Sequence, residues 1–183
     1  MSKAVLISIR PKWCELIANG TKTVEVRKTR PKLETPFKCY IYCTSVKSMN
    51  LQDYVDAISS AAAVDDWSGK VIGEFMCYAI IPISVEYSDP SHRMAQRDFP
   101  FTGMTDKQII DYLGNGKMGY GWHISGLKIY DTPKELTEFH TLKKCKSCSK
   151  SGYESTACIY DENCMVPVAT TKAPQSWCYV EEG

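Results

Sequence analysis

Long apolar runs are missing from this sequence of 183 residues, and this narrows the classes of protein it can belong to. No run is long enough to cross a bilayer, so we expect no membrane partner. The apolar stretch that follows Met1 is too short for a signal peptide, which makes a cytoplasmic location the expectation. In that compartment the nine cysteines remain reduced, so a disulfide scaffold is not expected. Internal repeats are absent as well.

A strong excess of one charge is also missing, since the formal net charge is +1. The charges are nevertheless unevenly distributed along the chain. Residues 1–47 hold 10 of the 22 Lys and Arg residues but only 3 of the 21 Asp and Glu residues. This part therefore carries a formal net charge of +7, and the remainder carries −6. A basic front part predicts an anionic partner, unless its charges are scattered in space. The acidic remainder argues against a long duplex, and a short single strand, a loop or one nucleotide fits better.

Hydrophobic periodicity predicts many short strands and few helices. The strands and helices do not alternate as in parallel α/β proteins, which favours an α+β fold with a small mixed β-barrel and peripheral helices. A long polar surface loop is predicted over 88–103. The predicted strands are 5–9, 23–28, 37–43, 71–85, 123–130 and one around Val180, and the predicted helices are 11–19, 51–64 and 105–113.

Residues 20–28, with the sequence GTKTVEVRK, are the most informative stretch. Gly20 is placed to end the first helix in the left-handed conformation, after which the pattern changes to period two. Glu25 and Arg27 then share one face of a strand, with Lys22 at its start and Arg10 nearby. A buried cluster of this kind indicates a binding or catalytic site. The alternative is a solvated edge strand with surface ion pairs.

The cysteines near the end of the chain predict a metal site. Cys145 and Cys148 form a C-x-x-C pair, and Cys158 and Cys164 follow at looser spacing, which together suit a closed, structural zinc site. This part has little apolar content of its own, so bound metal would supply free energy for folding. The alternatives are four solvated thiols, or His140 in place of one cysteine. Cys39, Cys43, Cys77 and Cys178 are instead predicted as small core residues, while Cys14 is open.

The order helix, G-x-K-T, strand, x-R resembles the ASCH domain, a relative of the PUA fold. Further stretches are similar to later parts of that family, in the same order: 69–75, 120–130, 131–136 and 173–180. The resemblance implies one PUA-like domain over residues 1–183, with residues 143–166 as a cysteine-rich, zinc-knuckle-like insert.

The resemblance also implies a pocket for single-stranded RNA or for a modified nucleotide or nucleoside. Aromatic side chains near that pocket would stack on an unpaired base, although each tryptophan is also a candidate core residue. A carboxylate such as Glu25 can accept a hydrogen bond from an exocyclic amine. The implied ligand-binding residues are Ser8, Arg10, Lys22, Thr23, Glu25, Arg27, Trp122, His123, Ser176 and Trp177.

One branch of the family hydrolyses N(4)-acetylcytidine and carries G-x-K-T-x-T-x-R, with the lysine and second threonine catalytic. In this chain Glu25 replaces that threonine. A carboxylate beside Lys22 is expected to favour its ammonium form and weaken it as a base, so binding is expected ahead of hydrolysis. If the protein is an amidohydrolase, Glu25 would activate a water and Lys22 would stabilise the oxyanion. A module for interaction with a phage or host protein, built around the cysteine insert, is a third alternative.

Overall fold

The computed structural model describes residues 2–45, 64–84, 100–144 and 165–182. Eight strands and three α-helices lie in these ranges, with short 3-10 helices at Pro100–Thr102 and Leu136–Glu138. The strands are β1 Lys3–Ile9, β2 Val24–Arg27, β3 Phe37–Cys43, β4 Val71–Ile83, β5 Gly119–Lys134, β6 His140–Lys144, β7 Met165–Ala169 and β8 Trp177–Glu181. The helices are α1 Pro11–Ala18, α2 Val64–Trp67 and α3 Asp106–Leu113. In these ranges no helix is long and apolar enough to span a membrane.

Six strands form one mixed sheet in the order β2-β5-β4-β3-β1-β8, and β6 and β7 form a separate antiparallel pair. Only β1 and β3 run parallel, and the other pairs in the large sheet are antiparallel. The prediction of an α+β fold with a sheet core and few helices is confirmed. The prediction of a closed barrel is wrong, because within the described ranges β2 and β8 end the sheet and do not pair with each other.

Side chains connect the two edges of the sheet where strand pairing does not. Arg27 Nη2, at the end of β2, donates to the backbone carbonyl of Ser8 on β1 at 2.5 Å. Trp177 Nε1, at the start of β8, donates to Thr29 Oγ1 at 3.0 Å. The sheet is therefore curled until its ends are within side-chain reach, which encloses one of its faces.

The enclosed face holds the larger core cluster, in which Ile7, Cys39, Phe75 and Trp122 are among the buried members. Helix α1 packs on this core through Cys14 and Ile17, and its first residue, Pro11, is also buried. The opposite face carries a second cluster, which includes Leu6, Tyr42, Phe139 and Val180. Because β-strand side chains alternate in direction, each central strand supplies both clusters.

Local sequence signals account for the ends of the helices. Pro11 opens α1, where its missing N–H has no intrahelical role, and Gly20 has φ of +78° just after the helix. Thr105 caps α3 reciprocally with Gln108, whose backbone N–H donates to Thr105 Oγ1 at 3.3 Å. Both helices were predicted, and both are confirmed.

The prediction of one strand over 71–85 is confirmed by β4, which includes Pro82. Strand β3 pairs with β4 only as far as Cys77 and leaves one side of the later residues without a partner strand in the described ranges. The bounds of β5 need correction, since the strand extends beyond 123–130 at both ends. Strands β6 and β7 were not predicted.

Several predicted features lie outside the described residues. These include the helix at 51–64 apart from Val64, most of the loop at 88–103, and the zinc ligands Cys145, Cys148, Cys158 and Cys164. The described flanks do pair, with Lys144 opposite Met165 in the β6–β7 register.

Candidate functional site

Lys22, Glu25 and Arg27 form a buried ion-pair row at the beginning and along the face of β2. Glu25 Oε2 lies 3.2 Å from Lys22 Nζ, and Glu25 Oε1 lies 3.0 Å from Arg27 Nη2. Lys22, Glu25 and Arg27 are 2%, 5% and 8% exposed, respectively. The prediction that Glu25 and Arg27 share one face, with Lys22 beside them, is therefore confirmed. The alternative of a solvated edge strand is wrong, because all three residues are buried.

The Lys22 ammonium has an acceptor for each of its three protons. Besides Glu25, Nζ donates to the backbone carbonyls of Val24 at 2.9 Å and Thr102 at 2.6 Å. The Trp13 ring lies below it, with its centroid 5.3 Å from Nζ. These contacts offset part of the cost of removing the ammonium from water.

Burial lowers the pKa of Lys22 below its ordinary value, and the opposing attraction of Glu25 does not restore it. Arg27 lowers it further by like-charge repulsion. Glu25 therefore favours the ammonium form of Lys22, as expected, although the net shift of the Lys22 pKa is downward. Desolvation outweighs the carboxylate, a contribution that strand spacing does not reveal.

Trp122 and Arg27 both bring an unpartnered donor to this row. In the β2–β5 register Trp122 is opposite Glu25, so its side chain lies on the same face as Glu25 and Arg27. Trp122 is fully buried, yet among the residues that the structure describes neither its indole Nε1 nor Arg27 Nε has a hydrogen-bond partner. Buried donors without acceptors are rare in folded proteins. Their presence on one face indicates a place for an acceptor atom.

Trp177, Ser176 and Ser8 lie beside the face of the sheet that carries Arg27 and Trp122. The Trp177 ring is 6.0 Å from that of Trp122, at an interplanar angle of 58°, and is half-buried. Ser176, just before it, accepts from the backbone N–H of Ser8 at 2.9 Å through its carbonyl. Ser8 Oγ donates to the carbonyl of Pro174 at 2.6 Å. Ser8, Ser176 and Trp177 thus lie together beside Arg27.

The remaining predicted ligand-binding residues are placed differently. Arg10 is exposed where α1 begins, and Thr23 is half-buried, with its backbone bonded to Phe101 and Ile124. His123 follows Trp122 and points to the other face of β5, where its Nδ1 is 3.0 Å from the Tyr78 hydroxyl. In the part of the chain that the structure describes, neither Thr23 nor His123 has a hydrogen bond to a side chain of the ion-pair row, whereas Ser8 does.

Trp13 and Thr102 contact Lys22 directly but were not predicted as site residues. Thr102 is fully buried, although it belongs to a stretch that the sequence assigned to a polar surface loop. Its contact with Lys22 spans 80 positions of sequence, and no local pattern signals it. The position of Trp13 near the site could have been predicted, because it lies four residues before the buried Ile17 and therefore on the same face of α1.

Burial also changes the pKa of several cysteine thiols. Cys14, Cys39, Cys43 and Cys77 are fully buried, and Cys178 is half-buried. Burial raises the pKa of Cys14 and Cys39 well above the ordinary value and that of Cys77 to about 12. These thiols remain protonated at neutral pH, which is the opposite of what a nucleophile needs. Within the described ranges, no group of His, Cys, Asp and Glu is arranged to hold a metal ion.

The fold and part of the sequence are similar to those of known proteins. The family model for the ASCH domain matches residues 7–75, a range that contains the end of β1, all of α1, β2 and β3, and therefore the whole ion-pair row. A search of curated proteins found no significant match.

Two solved structures are similar over nearly the whole chain. The crystal structure of ASCH from Zymomonas mobilis has 14% sequence identity and a TM-score of 0.52, covering 98% of this chain and 88% of that chain. A serine-to-alanine variant of the same protein has 16% identity and a TM-score of 0.57, covering 98% and 89%. Identity at this level shows a shared fold alone. Residues 7–75, which carry the site, therefore match the ASCH domain family, and the fold over nearly the whole chain is similar to that of ASCH proteins.

Proposed function

We propose that this protein binds single-stranded RNA or a modified nucleotide, with one base held against Glu25, Arg27 and Trp122. The ASCH fold is generally linked to RNA binding, which supports the class of ligand. The finer assignment rests on the chemistry of the site. The observation that carries it is the pair of buried donors, Arg27 Nε and Trp122 Nε1, that lack acceptors in the described part of the chain.

A nucleobase supplies what those donors lack. Its carbonyl oxygens and ring nitrogens are acceptors in one plane, and they would satisfy donors that otherwise cost free energy. Glu25 adds an acceptor for an exocyclic amine. The net charge of the row is +1 when Lys22 is protonated, which favours a ligand with an anionic phosphate. Together these groups suit a base with its phosphate better than a simple anion.

Trp177 supports the proposal as a stacking surface. It is half-buried, and its Nε1 is bonded to Thr29, which fixes the ring orientation. An oriented aromatic ring loses little conformational entropy when a base stacks on it. Stacking on one such ring contributes about 1–3 kcal/mol.

The test is calorimetric titration of the protein with cytidine 5′-monophosphate and with a single-stranded RNA hexamer. Arg27→Lys retains a cation but removes the Nε–H, so we expect at least about a tenfold loss of affinity for both ligands. Lys172→Ala changes an exposed cation in the acidic part of the chain and is the matched control, expected to bind as the wild type does. Equal affinities for Arg27→Lys and the wild type would overturn the assignment of Arg27.

Hydrolysis of an acylated base is the second candidate, favoured by the 3.2 Å contact between Glu25, a candidate general base, and Lys22, a candidate donor to an oxyanion. In the reaction, Glu25 takes a proton from water, and the hydroxide adds to the acyl carbonyl beside Lys22. The C–N bond then breaks, and the amine leaves with a proton. All three protons of the Lys22 ammonium already have acceptors, so an oxyanion would have to displace one of them. This places binding ahead of hydrolysis.

Incubation with N(4)-acetylcytidine separates the two candidates. A hydrolase releases cytidine and acetate in catalytic amounts and loses this activity in Lys22→Ala. A protein that only binds releases neither. If turnover occurs and depends on Lys22, hydrolysis takes the place of binding as the function of the site.

A further inference from the structure

A short basic segment leaves the candidate site directly after Arg27. We call its residues Lys28, Thr29, Arg30, Pro31 and Lys32 the basic strap. The cationic side chains of Lys28, Arg30 and Lys32 are exposed, whereas Pro31 is buried. The strap therefore turns its charges outward while its backbone lies against the protein.

Hydrogen bonds from β8 hold the strap in place. Thr29 Oγ1 accepts from Trp177 Nε1 at 3.0 Å, and the backbone N–H of Lys32 donates to the Tyr179 hydroxyl at 2.7 Å. Proline at position 31 further limits the backbone. A segment restrained at both ends loses little entropy when it binds a partner, unlike a free surface loop.

The strap cations lack carboxylate partners. Among the residues that the structure describes, Lys28, Arg30 and Lys32 take part in no ion pair. Two of them lie over aromatic rings instead: Lys28 Nζ is 5.2 Å from the Tyr112 ring centroid, and Arg30 Cζ is 6.0 Å from that of Tyr120. Cations over rings, with no neutralising acid, are what a single nucleic-acid strand needs for phosphate contacts and base stacking.

We propose that the basic strap binds the phosphate backbone of a single-stranded RNA whose base occupies the candidate site. This inference rests on the proposed function. Continuity supports it, because Lys28 follows Arg27 in the chain and Tyr120 is opposite Arg27 in the β2–β5 register. A single strand is favoured over a duplex because the site is buried and only an unpaired base can enter it.

The experiment compares a mononucleotide with an oligonucleotide. Cytidine 5′-monophosphate and a fluorescein-labelled RNA hexamer are titrated against the wild type, Lys28→Ala/Arg30→Ala and Lys134→Ala. Lys134 is the matched control because it is an exposed cation 4.9 Å from the Tyr130 ring, at the far end of β5. We expect the double variant to bind the hexamer at least about tenfold more weakly, with a salt slope reduced by about 1.4 for two lost phosphate contacts.

The same variant should bind the mononucleotide within about twofold of the wild type, because the candidate site is unchanged. Unchanged hexamer affinity and salt slope, with the mononucleotide still bound, would overturn the strap proposal alone. Hexamer binding that depends on the strap but not on Arg27 would support the strap and overturn the base site. If duplex RNA binds as tightly as the hexamer and responds equally to the variant, the single-strand assignment is wrong.

Discussion

Arg27 on β2 and Ser8 on β1 are joined by a hydrogen bond from Nη2 to the backbone carbonyl, although their strands are not neighbours in the sheet. The same guanidinium contacts Glu25 Oε1 at 3.0 Å. One side chain therefore bridges the curled sheet and anchors the candidate site. The fold and the proposed binding therefore depend on the same group, and variants must be chosen to separate the two.

Removing the Arg27 guanidinium should destabilise the fold. Arg27→Met leaves the Ser8 carbonyl without its donor and Glu25 with one cation fewer, so we expect a loss of about 3 kcal/mol in the free energy of unfolding. Urea denaturation followed by circular dichroism measures it. Arg30→Met, at an exposed position three residues later, should cost less than about 1 kcal/mol. Similar losses in both variants would contradict the bridging role.

Glu25→Gln should destabilise the protein in a pH-dependent way. The amide retains the shape but leaves two buried cations, at a cost of about 3 kcal/mol at pH 7. Without the carboxylate the pKa of Lys22 should fall further below its ordinary value of 10.5. As pH rises through that lowered pKa, the folded variant releases a proton that the unfolded chain retains, so its free energy of unfolding rises relative to the wild type.

Urea denaturation of Glu25→Gln and the wild type at pH 7 and pH 9 checks this sign. The difference between the two proteins should be smaller at pH 9. Glu34→Gln, at an exposed position, should show no such pH dependence. A difference that grows with pH would mean that Lys22 is not the group responsible.

Alanine substitutions at two glycines test how closely the backbones of β4 and β5 approach each other. A Cβ on Gly73 would lie 2.4 Å from the Lys128 carbonyl oxygen, so Gly73→Ala should cost about 3 kcal/mol or more. At Gly20, with φ of +78°, nothing lies within 4 Å of the added Cβ, and Gly20→Ala should cost about 1–2 kcal/mol from backbone strain alone. Thermal unfolding ranks the two. Equal costs would contradict the close contact of β4 with β5.

Zinc remains a prediction from cysteine spacing. Protein purified without chelator should contain about one zinc per chain, held by Cys145, Cys148, Cys158 and Cys164. Elemental analysis should show that a variant with Cys145 and Cys148 changed to serine loses the metal. Cys39→Ser/Cys77→Ser, in buried strands, is the control that should retain it. A metal-free protein whose four predicted ligands react freely with a thiol reagent would reject the site.

Local rules predicted the local parts of the site. Proline before α1, Gly20 after it and the period-two pattern of β2 placed Lys22, Glu25 and Arg27 together, because these positions are close in sequence. Contacts across the chain were not predicted: Thr102 reaches Lys22 from 80 positions away, and the Arg27 contact with Ser8 depends on how the sheet curls. The effect of Glu25 on the Lys22 pKa was predicted, but the larger effect of desolvation was not, since desolvation is a property of the packed fold.

The measurement that tests the central claim most directly is the indole N–H signal of Trp122 in a ¹H–¹⁵N correlation spectrum during titration with cytidine 5′-monophosphate. Trp122→Phe assigns the signal, and the Trp67 indole is the internal control. We expect the Trp122 signal to move downfield to a saturating value as its buried donor gains an acceptor, while the Trp67 signal does not move. A nucleotide that saturates the protein and leaves the Trp122 signal unmoved would contradict the assignment of this donor to a bound base.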